Sequence, residues 1–250
     1  MQNSQDSMGG MSVPGDRRHV SGNTHSLGSV QEGGIRVFYL NFPFSSVMLR
    51  RGICLISILL FFIIVVRDWG GFWNDIFLYH PISMAIAFMG VLPELLYSIA
   101  TLQGSLGIIT QRRNILREHR RNALLLKTFS AFGIIVIEWS KFSRSKGHFV
   151  TWHARIGILC EISQILETLI GVSMYYGIFD SCFSVSHRII LRIFHRQIAI
   201  FVVISGLASM FLGMFSHFAE RVFGGIFIRA LFAILPTLLA LWGYFCAWQI

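Results

Sequence analysis

GICLISILLFFIIVV, residues Gly52–Val66, carries no charged side chain. Extended back to Val47 it reaches the roughly 20 mostly apolar residues that one helix needs to cross a hydrocarbon core about 30 Å thick. Arg50 and Arg51 precede the block and Arg67 follows it, so the apolar run has charged ends. Five further stretches have this character. The second runs from about Phe77 to Ala100, with Pro93 expected to break it, and the third over about Asn122–Trp139. The fourth covers about Val150–Val172, the fifth about Phe194–Phe215, and the sixth about Gly225–Trp248 with Pro236 inside it. Composition agrees: 54% of the 250 residues are hydrophobic and 13% are charged, whereas soluble domains are about 25% charged. Mean hydropathy is +0.63. The expected fold class is all-α: a polytopic membrane protein of six transmembrane helices, with helices 2–5 as a four-helix core.

The residues before the first span, 1–46, are rich in Gly, Ser, Asn and Gln and hold almost no apolar block. Such a segment cannot bury enough surface to offset its ordering entropy, and it reads as a disordered cytosolic tail. It lacks the apolar core and cleavage site of a secretory signal, so the first span is expected to serve as a retained signal-anchor. Residues 47–250 then form one six-helix domain.

The net charge of +9 follows membrane topology. Basic residues sit at span ends instead of forming one stripe beside exposed aromatics, which argues against nucleic acid as a partner. With the N-terminus inside, that side collects Arg17, Arg18, Arg36, Arg50, Arg51, Arg112, Arg113, Arg117, Arg120, Arg121, Arg188, Arg192 and Arg196. The other side collects Arg67, Lys141, Arg144, Lys146, Arg155, Arg221 and Arg229. The larger share belongs in the cytosol, so both termini are expected there, with the lipid bilayer as the surrounding partner. Cys54, Cys160 and Cys246 fall within spans and Cys182 in an inside loop, a distribution of free thiols. Trp69, Trp73, Trp139 and Trp152 suit an interfacial belt at the outer face.

Four histidines then take definite depths. His80 opens the second span and His153 the fourth, near the outer face, while His119 opens the third and His195 the fifth, near the inner face. Two axial imidazoles facing one another across an apolar slot are what a haem iron requires, and each pair is built that way. No Cys-x-x-Cys-His occurs, so such haems would be b-type, held by ligation and packing. Met84, Gly157 and Ala199 each lie four residues after a proposed ligand, on the same helix face. Pro81 follows His80 at a helix start, where a missing N–H costs nothing. His148, His187 and His217 compete for the ligand roles, whereas His19 and His25 lie in the tail.

In these residues the chain resembles the cytochrome b561 family, specifically its short members without a DOMON domain. The resemblance covers about residues 47–250. It is carried by Phe77-Leu-Tyr-His-Pro-Ile-Ser-Met84, Arg117-Glu-His-Arg-Arg121, Val150-Thr-Trp-His-Ala-Arg-Ile-Gly157 and Phe194-His-Arg-Gln197. It implies two haem b groups, with His80 and His153 on the non-cytosolic one and His119 and His195 on the cytosolic one. It further implies an ascorbate-dependent oxidoreductase that moves electrons from cytosolic ascorbate to monodehydroascorbate or ferric iron across an endomembrane or the plasma membrane. Pairing as a homodimer is a further implication.

Ascorbate is an anion, so its site should carry fixed positive charge. Arg112, Arg113, Arg117, Arg120 and Arg121 supply it on one side and Arg192 and Arg196 on the other. Members of the family often have lysine before the second histidine, where this chain has arginine, and the two side chains are not interchangeable. Positive-inside anchoring explains the same arginines equally well.

Lys127 and Glu161 lie eight residues into the third and fourth spans, about 12 Å from each helix's histidine at 1.5 Å per residue. Unpaired charges at that depth are costly, so the two are expected to pair, or one to be neutral. Gln164 and Glu167 continue toward the inner end. Arg155 is expected to meet a haem propionate or to snorkel to the interface. Two other functions fit parts of the pattern: a metal-ion transporter, since imidazole binds zinc and copper, and a haem-free membrane scaffold.

Overall fold

The computed structural model describes residues 46–68, 75–104, 109–178 and 185–246. The expected tail, its two histidines, Trp69, Trp73 and Cys182 lie outside the described residues. The regular structure is helical: α1 (Ser46–Asp68), a 3-10 turn (Ile76–Leu78), α2 (Tyr79–Ala85), a π-helical stretch (Ile86–Val91), α3 (Leu92–Gly104), α4 (Ile109–Ser143), α5 (Trp152–Tyr175), α6 (Val185–Gly213), α7 (His217–Phe223) and α8 (Ile226–Cys246). Among the described residues, six helical segments are long and apolar enough to cross a membrane, with α2, the π stretch and α3 counting as one. Apolar side chains such as Leu55, Ile56, Ile135, Leu169, Ile204 and Leu238 remain exposed on the helix faces. In a bilayer they meet lipid, which costs nothing.

Three corrections to the expected boundaries matter for the site. The third and fifth spans do not begin at their histidines. α4 starts at Ile109 and α6 at Val185, so His119 and His195 each sit ten residues inside a helix. The turns before His119 are polar and basic, and those before His195 mix His187, Arg188 and Arg192 with apolar residues, so the charges masked the helix starts. Secondly, Pro93 does not break the second span. Proline lacks an N–H and crowds the preceding turn, and the helix meets this by widening, with the Leu92 N–H reaching back to the Ala87 carbonyl. Thirdly, the fifth span ends at Gly213, and His217 beyond it belongs to a separate element. It opens the short helix α7, which Ser216 caps by accepting a hydrogen bond from the Ala219 N–H.

Caps also fix where the histidine-bearing spans start. The Asp75 carboxylate accepts from the Phe77 N–H at 2.9 Å, five residues before His80. The Thr151 hydroxyl accepts from the Ala154 N–H at 3.2 Å, beside His153. Close approach of the helices then depends on small residues. A Cβ placed on Gly243 of α8 would lie 2.3 Å from the Pro93 carbonyl oxygen, and one on Gly206 of α6 would lie 2.3 Å from the Phe88 ring.

α5 and α6 pack along their length, α4 lies against α2 and α3, and α8 packs on α3. Helix α1 is tied to α3 by ion pairs from Arg50, at 2.6 Å, and Arg51, at 3.2 Å, to Glu94. Arg50 is fully buried and also lies 4.6 Å from the centre of the Tyr97 ring. Cys54, Cys160 and Cys246 are buried and form no disulfide among the described residues.

Candidate functional site

Helix α5 serves as a ruler through the bundle. His153 lies in its first turn, Glu161 two turns deeper, and Glu167, Gly171 and Tyr175 toward its far end. The His153 ring lies 6.1 Å from the His80 ring, centre to centre. Each is held by a backbone carbonyl on a neighbouring helix. His80 Nδ1 lies 3.0 Å from the Gly133 oxygen of α4, and His153 Nδ1 lies 2.8 Å from the Ser209 oxygen of α6. Donation from Nδ1–H to a carbonyl selects the tautomer whose Nε2 carries a free lone pair, the arrangement seen in metal-ligating histidines. The Ser209 hydroxyl adds a hydrogen bond to the His153 carbonyl at 3.2 Å.

The other two histidines meet the opposite end of the ruler. His195 packs on Gly171, where a Cβ would lie 3.2 Å from the imidazole Cε1. Its Nε2 lies 3.4 Å from the Glu167 carboxylate. The neighbour of His119 on α4, Arg120, stacks 3.9 Å over the Tyr175 ring of α5. Among the described residues, the Nδ1 atoms of both His119 and His195 are buried without a hydrogen-bond partner. Along α4, His119 is separated from Gly133, the partner of His80, by fourteen residues, about 21 Å of helix. The four histidines therefore occupy two levels, each served by two different helices.

A haem iron fits these residues. Two imidazoles that share one ion through bonds of about 2 Å have ring centres roughly 6 Å apart, close to the 6.1 Å between His80 and His153. These two rings face a cavity of about 550 Å³ whose wall includes Met84, Phe88, Gly157 and Met210. Volume and apolar lining are of the kind that takes a large flat cofactor. At the second level, the two orphaned imidazole nitrogens are what a metal would satisfy. Among the described residues, no three His, Cys, Asp or Glu side chains converge as a bare-ion site would require.

Between the levels, Lys127 of α4 forms an ion pair with Glu161 of α5, as their matched depths predict. Gln164, buried one turn on, accepts from the Ser130 hydroxyl at 3.1 Å and lies 3.5 Å from Cys160 Sγ. The competing histidines go elsewhere. His148 lies in the loop after α4 and contacts the Glu138 carboxylate. His187 is exposed in the first turn of α6, and His217 is exposed beside Glu220 at 3.7 Å. Arg155 donates to the Phe149 carbonyl at 3.1 Å and lies 5.4 Å from the Trp152 ring centre. Arg112, Arg113 and Arg117 are exposed in the early turns of α4, Arg121 pairs with Glu118, and Arg196 is exposed on α6.

Six membrane-crossing helices with paired histidines at two depths define a class of membrane proteins that hold metal cofactors inside a helical bundle. The profile of eukaryotic cytochrome b561 matches residues 79–220, a segment that takes in all four histidines. The chain belongs to the cytochrome b561 family, whose members bind haem b and transfer electrons across membranes. Among curated relatives, transmembrane reductase CYB561D2 of Bos taurus is 27% identical over 169 residues, 67% of this chain and 74% of that protein. The Mus musculus protein of the same name is 25% identical over the same shares.

Proposed function

We propose that this protein is a transmembrane reductase that carries single electrons from cytosolic ascorbate to monodehydroascorbate or a ferric complex on the far side. Two haem b groups take part, one between His80 and His153 and the other between His119 and His195. The observation that carries this reading is the His80–His153 pair: ring centres 6.1 Å apart with the ring planes inclined at 73°, each ring with Nδ1 held by a carbonyl.

Haem supplies a one-electron iron couple that no side chain here provides. The chain's own residues hold, orient and insulate. The Gly133 and Ser209 carbonyls fix the tautomers of His80 and His153. Gly213 and Gly171 leave room for the rings of His153 and His195, since a Cβ at either would lie 3.1–3.2 Å from an imidazole atom. Phe88, Met84 and Met210 line the first cavity with apolar surface and exclude water. Two levels about 21 Å apart along α4 shorten each electron step well below the ~30 Å membrane core.

With both termini in the cytosol, the His119–His195 end faces the donor. Arg112, Arg113, Arg117, Arg120, Arg121 and Arg196 there give an anionic donor a positive approach, and Arg120 is oriented by its stacking on Tyr175. The His80–His153 cavity opens beside Lys141, Lys146 and Thr151, where the acceptor would dock.

A first test is the absorbance of detergent-purified protein from haem-replete cells, oxidised and then treated with ascorbate. A sharp low-spin α band that grows on ascorbate addition is expected, and a folded sample without a Soret band rules the reading out. Gly213→Val is expected to push the His153 ring off the Ser209 carbonyl. It should cost about half of the bound haem at unchanged helix content, measured by haem assay and circular dichroism.

A further inference from the structure

We propose that Glu161 lowers the reduction potential of the haem held at His80 and His153; this inference rests on the haem reading above. Glu161 lies on the same helix as His153, two turns deeper, and lines the same cavity as His80 and His153. Among the described residues, the wall of that cavity includes Glu161 but not Lys127, its ion-pair partner on α4. The pair is therefore presented unequally: the residue that bears the negative charge borders the cofactor cavity, and the one that bears the positive charge does not.

The position of the carboxylate is well defined. Its side chain is 8% exposed and engaged by Lys127. Gln164 in the next turn is tied to Ser130 and Cys160, which fixes this part of α5 against α4. A fixed negative charge in a medium of low dielectric interacts strongly with a nearby metal centre. It favours the oxidised iron, which carries one more positive charge than the reduced iron. Lys127, which does not border the cavity, acts in the opposite sense and is expected to offset only part of this.

The other charges on the cavity wall are placed differently. Glu138 lies near the mouth and is paired with Lys141 at 2.9 Å and with His148. Lys146 lies in the loop there and is exposed. Solvent and salt screen groups at a mouth much more than a pair in the bundle interior. A contact needed only to join α4 to α5 would work equally well with apolar side chains, which are often as stable in place of a buried pair. The consequence for the relay is directional: an electron arriving at the His80–His153 level is held less tightly and passes more readily to the acceptor.

The test is a spectroelectrochemical titration of the haem-loaded full chain, with the His80–His153 component identified by its loss in His153→Ala. Glu161→Gln is expected to shift the reduction equilibrium of that component about tenfold toward the reduced form, 59 mV for a one-electron couple. The other haem should shift less. Because Glu161→Gln strands the Lys127 ammonium, Lys127→Met/Glu161→Gln is measured alongside it. That variant should give a smaller rise of the same sign. An unmoved or lowered potential at this level in the double variant, with haem content and α band unchanged, overturns the inference and leaves the pair a packing element. An equal shift of both haems overturns it too. Absence of haem from the wild-type protein appears in its spectrum before any variant is made, and removes the parent reading together with this one.

Discussion

Replacing His153 with alanine is expected to lower the haem content from the proposed two per chain to about one, and His195→Ala to do the same at the other level. The two losses should be spectrally distinct, because the two sites hold their ligands differently. At the first level, both imidazoles are oriented by neutral backbone carbonyls at 3.0 and 2.8 Å. At the second, His195 lies beside the Glu167 carboxylate at 3.4 Å and the Nδ1 atoms of both histidines have no hydrogen-bond partner. A carboxylate beside a ligating imidazole raises its basicity where a carbonyl does so less. The comparison requires haem counts per chain and difference spectra for His80→Ala, His119→Ala, His153→Ala and His195→Ala. Within each level the two variants should lose the same spectral component. Loss of one component in His80→Ala and of the other in His153→Ala would break the pairing.

The second large effect is on stability. Lys127→Met leaves Glu161 without its ion-pair partner in the middle of the bundle, and removing one member of a buried pair costs about 3–5 kcal/mol. The double variant Lys127→Met/Glu161→Gln should recover most of that loss, since it strands no charge. Thermal unfolding in detergent, followed through the partly buried Trp242 or a thiol probe at Cys160, reads this out. Equal stability of the single and double variants would mean that the ion pair is not maintained in the membrane.

Much of this was legible in the sequence, for identifiable reasons. Hydropathy located all six spans, because a bilayer demands long apolar runs and soluble folds do not. The ends of the first and sixth spans fell within a few residues of Ser46–Asp68 and Ile226–Cys246. The beginnings of the third and fifth did not. The turns before His119 and His195 are helical yet rich in arginine, and they stand beyond the apolar run. Depth counting paired Lys127 with Glu161 correctly, since an eight-residue offset on antiparallel helices brings side chains to one height.

What escaped the sequence depends on contacts distant along the chain. Nothing local to His80 or His153 points to the carbonyls of Gly133 and Ser209, because a backbone acceptor has no residue signature. The glycines opposite the imidazoles, Gly171 and Gly213, look like ordinary helix glycines until the neighbouring helix is in place. The π-helical stretch before Pro93 is a compromise between an intact span and a missing donor, and a sequence rule that ends helices at proline misses it. The cap at Ser216 was the available signal for α7. Glu167 beside His195 was given no site role from the sequence, although a carboxylate deep in an apolar span was a signal that could have found it.

The central claim is that electrons cross the bilayer through two histidine levels in series. Proteoliposomes with the purified protein in one orientation, ascorbate on the arginine-rich side and a membrane-impermeant ferric chelate on the other, test it directly. Reduction of the chelate is expected to depend on the protein and to fall to the protein-free rate when either His153→Ala or His195→Ala is used. Continued reduction at the wild-type rate in both variants would contradict it.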